Sequence, residues 1–399
     1  MKTEVFLNLE GRRYFVGVLA SDQNDIFFQY AENFLNTQLE ISPISVPLQR
    51  RIWVFNTSSF GGLPGFASDS LPDGWGNLLL HRQLVRRGER LAEIDPLRRL
   101  CWVGCQGMGA LEYQPVEKFQ EEFCPTDIRL DTLAENAEAI LSDRESGVAL
   151  DVLASLNGSS GGARPKIVCL VSDDRRTLKP GNVENNGAEP WLIKFRNSTD
   201  PADTGALEYA VSILAKSAGI EMPETHLFES SKGAGWFGIR RFDRTSYGKV
   251  HMATAAGLLH CDFRQPCLDY QTLMALTQRL SGAGDLEQML KRTYFNFVID
   301  NRDDHAKNFS FLMDGKGRWR LAPAYDLVPS TGGFEHMTAL MGVGKSPVRS
   351  LFVRLGEDFG LSHRKAQTAL AAVDESLSQW HQLAKNCGVK SPPVFAPLK

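Results

Sequence analysis

The stretch Asn301-Arg302-Asp303-Asp304-His305-Ala306-Lys307-Asn308 sets a carboxylate five positions ahead of an amide, and Tyr325-Asp326 brings a second carboxylate one short hairpin later. Phosphoryl transfer from a nucleotide to a hydroxyl needs such a set. One carboxylate orients the hydroxyl and accepts its proton, and hard oxygen ligands hold Mg²⁺ on the phosphates. Asp303 is the candidate base, and Asn308 and Asp326 are the candidate metal ligands. His305 and Lys307 lie where they could reach phosphate. A polar turn after a helix would account for one or two of these residues, but not for their spacing between an amphipathic helix and a hairpin.

The catalytic loop of protein kinases is written H-R-D-x-x-x-x-N, and N-R-D-D-H-A-K-N runs in the same register. Lys194 ends a strand as Leu192-Ile193-Lys194, comparable to the V-A-I-K strand whose lysine meets the α- and β-phosphates. Glu208 on the following helix could hold that lysine. The loop Ser159-Ser160-Gly161-Gly162-Ala163-Arg164-Pro165-Lys166 suits a phosphate cradle, because glycines let backbone N–H groups approach an anion and Arg164 or Lys166 adds positive charge. It lacks the G-x-x-x-x-G-K-[ST] of a Walker A loop.

Two hydrolase readings compete. Gly158-x-Ser160-x-Gly162 matches the G-x-S-x-G of a serine-hydrolase elbow, but an elbow needs a strand before the serine and a helix after it. Here the strand follows, and Pro165 blocks an early helix. A metallohydrolase built on Asp303, Asp304 and His305 lacks a second histidine cluster. A kinase fold kept only for binding or scaffolding is a third alternative, opposed by Asp303, Asn308, Asp326 and Lys194 all being present.

The elements that must position these residues follow a β-rich, then mixed, then helical order. Glu4–Leu9, Tyr14–Leu19 and Ile26–Tyr30 alternate as a β-meander. Trp75 to Arg87 has helical apolar spacing. Strands are expected at Ile167–Val171, through Trp191–Phe195 and at Gly235–Arg240, with a helix from Thr204 to Ala218 capped by Asp203 or Thr204. Asp285 to Asp300 puts Leu286, Met289, Leu290, Tyr294, Phe297 and Val298 on one helical face and leads into Arg302-Asp303. A hairpin pairs Phe309–Met313 with Arg318–Leu321, and Leu361 to Asn386 reads as a helical C-terminus. The expected fold class is α+β, a two-lobed protein-kinase-like fold. Its parts are a β-rich subdomain over 1–115, an N-lobe-like part with the Gly-rich loop over 116–244, and a helical lobe with the catalytic loop over 245–399.

At 399 residues and a net charge of −3, the chain gives no global reason to expect nucleic acid or an acidic membrane as a direct ligand. Arg82, Arg86, Arg87 and Arg90 recur at near-helical spacing, as a solvated helix face does. The N-terminus is too polar for a secretory signal, and no run approaches the roughly 18 apolar residues of a membrane span. The odd cysteine count of 7 fits free thiols in a reducing cytoplasm better than a disulfide framework, and Cys101 and Cys105 lack the second pair a zinc site needs.

Together Ser159-Ser160-x-Gly162-Ala163-Arg164-Pro165-Lys166, Leu192-Ile193-Lys194, Arg241-Phe242-Asp243-Arg244, Asp303-x-His305-Ala306-Lys307-Asn308 and Tyr325-Asp326 resemble the HipA-type toxin kinases. Ser70-Leu71-Pro72-Asp73-Gly74-Trp75-Gly76 is similar to the N-terminal signature of that family, so the resemblance spans nearly the whole chain. It implies an ATP- and Mg²⁺-dependent serine/threonine kinase, the toxin of a toxin–antitoxin pair associated with growth arrest and persistence. The implied partners are a HipB-like helix-turn-helix antitoxin, through which alone DNA is contacted, and a protein substrate such as an aminoacyl-tRNA synthetase. By matching position, Asp303 is the base, Asn308 and Asp326 bind the metal, and Lys194 binds phosphate. Gly161, Gly162, Ala163, Arg164 and Lys166 form the ATP loop, Arg240, Arg241 and Phe242 lie beside adenine, and His305, Lys307 and Tyr325 complete the pocket. Ser159 or Ser160 would carry an autophosphorylation that ejects the loop. The sequence departs from the family at Arg240, where an acidic residue is expected.

Overall fold

The computed structural model describes residues 1–399 other than 24, 57–58, 118–127, 145, 159–160, 184–186 and 331. Alternation over Lys2–Leu9 (β1) turns Val5, Leu7 and Leu9 to one face, which is buried. β1 pairs antiparallel with β2 (Arg12–Asp22), and β2 with β3 (Asp25–Tyr30), giving the meander expected from the sequence. Two short runs that the pattern leaves unassigned complete it. β4 (Ile52–Phe55) joins β3, and β5 (Leu111–Gln114) joins β1, for the order β4-β3-β2-β1-β5.

Helix α1 (Gly74–Arg86) buries Trp75 and Leu79 against α2 (Leu130–Leu141), α3 (Gly147–Asn157) and a second antiparallel sheet. That sheet contains β6 (Lys166–Val171), β7 (Leu178–Pro180), β8 (Glu189–Lys194), β9 (Thr225–Phe228) and β10 (Trp236–Arg240), in the order β7-β6-β8-β10-β9. β6 is buried along its whole length, which explains its unbroken apolar run. Helix α4 (Thr204–Ser217) lies beside β9 and β10. Asp203 stands at its N-cap without a side-chain capping bond, and instead accepts from the Lys390 N–H at 2.7 Å.

The large core joins the first sheet, α4 and the helical part that follows. β11 (His251–Thr254), α5 (Tyr270–Ser281), α6 (Leu286–Val298), β12 (Ser310–Met313), β13 (Trp319–Leu321), α7 (Arg349–Asp358), α8 (His363–Leu377) and α9 (Trp380–Asn386) complete the described elements that bear on the site. Leu286, Met289, Leu290, Tyr294, Phe295, Phe297 and Val298 of α6 are all buried, and each such side chain contributes roughly 1.5–3 kcal/mol. The segment Asn301–Asn308 therefore hangs from one of the most firmly held elements. The helical C-terminus expected from 361 to 386 is formed by two helices, α8 and α9. Ser378 turns its hydroxyl back onto the Glu375 carbonyl at 2.7 Å, and Trp380 donates to the Pro393 carbonyl at 2.7 Å, which swings α9 onto the core.

Cys101 and Cys169 are buried as expected of core thiols, whereas Cys105 and Cys267 are exposed, and all four are free. No helix among the described residues is long and apolar enough to cross a membrane.

Candidate active site

β6 and β8 run antiparallel in a register that sets Lys166 directly opposite Lys194, and β10 sets Phe237 opposite Lys194. Both lysines face a cleft with about 970 Å³ of empty space, its open mouth included. Lys194 Nζ lies 2.6 Å from Glu208 Oε1 and 2.5 Å from Asp326 Oδ1. Burial opposes its charge, but the two carboxylates prevail and hold its pKa well above the ordinary lysine value. Lys166 is 3 % exposed and donates to the Gly161 carbonyl. Burial, then the neighbouring Lys194, push its pKa down to about 8.

The Gly-rich loop reaches the cleft through Gly161 and Gly162. Gly162 has φ +96°, a conformation that favours glycine, and a Cβ there would stand 2.4 Å from Lys166 Nζ and push that ammonium aside. Ala163 and Arg164 lie off the cleft lining. Arg164 turns to Asp200, at 3.0 and 3.3 Å, and stands 4.0 Å from Glu208, so it buttresses the carboxylate that holds Lys194. Ser159 and Ser160 lie outside the described residues. The elements flanking them run helix α3 and then strand β6, the reverse of a hydrolase elbow.

Beyond α6 the chain turns at Asp300, with φ +56°, into the segment that holds Asp303 and Asn308. Asp303 and Asp304 then part company. The Asp303 side chain is 63 % exposed, with its Oδ1 4.0 Å from His305 Nε2. Partial desolvation, with the charges of Asp326 and Asp304, holds its pKa above the usual carboxylate range, and His305 opposes this. Asp304 is 0 % exposed. It accepts from the Tyr270 hydroxyl at 2.7 Å, His336 Nδ1 at 2.9 Å and the Thr338 N–H at 3.1 Å. A buried carboxylate engaged on three sides is not free to ligate a metal, so Asp303, Asp304 and His305 do not converge as a hydrolase centre.

Asn308 donates to the Asp303 carbonyl at 2.8 Å, which fixes the loop and leaves its side-chain oxygen to meet a cation. Asp326 adopts φ +56°, an uncommon conformation that asparagine and aspartate tolerate best among non-glycine residues. Partial burial opposes its charge, but Lys194 and Lys166 hold its pKa well below the usual range. His305 Nδ1 accepts from the Lys307 N–H at 3.2 Å, and the Tyr325 hydroxyl donates to the Lys307 carbonyl at 2.6 Å. Arg302 grips Asp300 at 2.8 and 2.9 Å and the Gly333 carbonyl at 2.7 Å.

Arg240, Arg241 and Phe242 border the cleft, but their side chains divide. Arg240 turns out to Glu189 at 2.6 Å. Arg241 is buried and bonds Asp243 at 2.9 and 2.7 Å. Phe242 lies against the Tyr325 ring, with centroids 5.6 Å apart. Asp243 also accepts from Arg244 at 2.8 Å and from the Gly109 N–H at 2.7 Å, while Arg244 reaches the Gly109 and Gly107 carbonyls at 2.9 and 2.8 Å. The motif is thus a buried clamp between the second sheet and the segment before β5.

Residues from the first 115 positions that the motif reading did not assign to the cleft also line it: Asp69, Leu71, Asp73 and Met108. Asp69 accepts from the Thr254 N–H and hydroxyl, both at 2.7 Å, and burial raises its pKa. With Leu192, Ile239 and Met252, Leu71 and Met108 give the cleft an apolar wall above a charged floor, the division of labour usual in small-molecule sites. The signal for Leu71 and Asp73 in the sequence was the signature Ser70–Gly76, which stands just before a helix.

The HipA-like C-terminal domain family matches residues 158–380, and the HipA N-terminal domain family matches residues 7–114. A Sinorhizobium fredii protein named "Putative kinase Y4mE" is 26% identical over 401 residues, covering 95% of this chain and 85% of its own. Another from the same organism, "Putative kinase Y4dM", is 25% identical over 282 residues, or 67% of this chain and 62% of its own. A chain in the Shewanella oneidensis MR-1 complex of HipA, HipB and operator DNA shares the fold, with a TM-score of 0.68 at 16% identity, over 98% of this chain and 92% of that one.

Proposed function

The chain belongs to the HipA-like family, and on that premise we propose that it is an ATP-dependent protein serine/threonine kinase, the toxin of a toxin–antitoxin pair. One observation carries the reading. Lys166 and Lys194 pair across β6 and β8 at the floor of the cleft that Asp326, Asn308 and Lys307 also line. A polyanionic triphosphate chain needs concentrated positive charge beside backbone donors, and Mg²⁺ suits one carboxylate and one amide oxygen shared with phosphate. The residues fit both groups. Among the described residues no cluster of three His, Cys, Asp or Glu could cage a metal, so the ion would come with the nucleotide.

Bound Mg²⁺ would neutralise charge on the phosphate oxygens. Lys194, steered by Glu208 and Asp326, and Lys166 would hold the phosphates, and Phe242 and the apolar wall would receive the base. Asp303 would orient a serine or threonine hydroxyl and take its proton as the oxygen–phosphorus bond forms and the bond to the ADP oxygen breaks. Its exposure leaves it accessible to a protein substrate.

Likeness to a HipA–HipB–operator complex supports a HipB-like helix-turn-helix partner that would carry any DNA contact, and the net charge agrees. An aminoacyl-tRNA synthetase as substrate, modification at Ser159 or Ser160, and a cytoplasmic setting rest on family resemblance alone. Incubation with Mg²⁺ and γ-labelled ATP, followed by site mapping, tests the reading. Label in the wild type and none in Asp303→Asn is the expected result, and equal labelling of both would sink it.

A further inference from the structure

Within the segment Ser70–Gly76, Leu71 contributes to the apolar wall, but Asp73 has no role in the chemistry above, and the segment grips the glycine loop from both sides. Asp73 sits at the N-cap of α1, where its side chain makes no bond to its own helix. Its Oδ1 accepts from the Gly162 N–H, and its Oδ2 lies 3.0 Å from Lys307 Nζ. Trp75 donates its N–H to the Gly162 carbonyl at 3.0 Å. A Cβ on Gly74 would stand 2.5 Å from the Gly162 oxygen and 2.6 Å from Ala163 Cα, so the approach is as close as backbone allows. Asp73 itself is only 7 % exposed. A glycine-loop N–H and a lysine ammonium, converging on one spot, are the donors an anionic phosphate seeks. Here a carboxylate of the same chain satisfies both.

We propose that Asp73 is a competing anion, a determinant of nucleotide affinity supplied by the first 115 residues. Its carboxylate holds the two donors that the terminal phosphates need, and nucleotide binding displaces it. The inference rests on reading the cleft as a nucleotide site. It makes affinity depend on phosphate charge. A triphosphate repels and replaces Asp73, whereas adenosine never meets it.

Equilibrium binding of Mg²⁺-ATP and of adenosine to the full chain tests this, using wild type, Asp73→Asn, Asp73→Ser and Lys194→Ala. Asparagine keeps an acceptor for the Gly162 N–H and removes only the charge beside Lys307. Either neutral variant is expected to bind Mg²⁺-ATP roughly ten-fold more tightly, the scale of one charge-assisted hydrogen bond, with adenosine affinity unchanged. Unchanged or weaker ATP binding in the neutral variants overturns the proposal, as does tightening that extends equally to adenosine. Lys194→Ala separates the two claims. Wild-type ATP affinity in that variant, or no binding by any protein, removes the nucleotide site and this inference with it. Weakened binding there without tightening at Asp73 removes this inference alone. Serine stands in should the asparagine variant fail to fold.

Discussion

Lys166 and Lys194 occupy the same rung of a β-ladder, yet their charges are held in opposite ways. Lys194 is clasped between Glu208 and Asp326, while Lys166 is buried against a carbonyl with a cation for a neighbour. Only one of the pair therefore titrates within reach of neutral pH.

The dissociation constant of Mg²⁺-ATP is expected to rise as pH climbs through about 8, where Lys166 loses its proton. Lys166→Met should bind weakly throughout and show no such bend. Stability should move the other way. The pKa of Lys166 is lower folded than unfolded, so between about 8 and the ordinary lysine value of 10.5 the unfolded chain holds more protons, and stability rises with pH there. Calorimetric titration against pH and melts over the same range check both signs.

Asp303→Asn should lower phosphoryl transfer by roughly 10²–10⁴-fold, the share usual for a positioned base, with Mg²⁺-ATP binding nearly unchanged. Wild-type turnover in that variant would remove Asp303 from the chemistry.

Asp243→Ala leaves Arg241 and Arg244 buried without their shared carboxylate. A loss of about 3–5 kcal/mol in denaturant unfolding is expected, because uncompensated buried charge is costly. A loss within 1 kcal/mol, on the order of a surface pair, would show that the clamp is not structural.

Phosphate on Ser159 or Ser160 should weaken ATP binding, since roughly −1.5 to −2 added charges would compete with the nucleotide beside Gly161. Separating modified from unmodified protein and titrating each with ATP decides it. Equal affinities would count against a switch at that loop.

What the sequence made legible was local. The order Asp303, Asn308, Asp326 and the strand ending in Lys194 lie within short windows, where residue type and period carry the information. The rung shared by Lys166 and Lys194 depends on a register between strands separated by a polar insertion, which no window contains. Arg241 shows a different limit. Its motif position suggested adenine, but the direction of its side chain is set by Asp243 and by Gly109, far away in the chain. Asp73 was visible only as part of a signature, because its partners Gly162 and Lys307 are met through tertiary packing. The first sheet was half legible. Its meander alternates clearly, but β4 and β5 are too short for a period to show.

Arg302 has a consequence for how such an enzyme would be governed. Where an arginine before the catalytic aspartate waits for a phosphorylated segment, an upstream kinase decides when the enzyme wakes. Here that guanidinium is already satisfied by Asp300 and the Gly333 carbonyl, while Asp304 pins His336 and Thr338. On the kinase reading, the protein would leave the ribosome needing no licence from another enzyme. Restraint would then have to be present from birth, in a binding partner made alongside it or at the nucleotide loop itself.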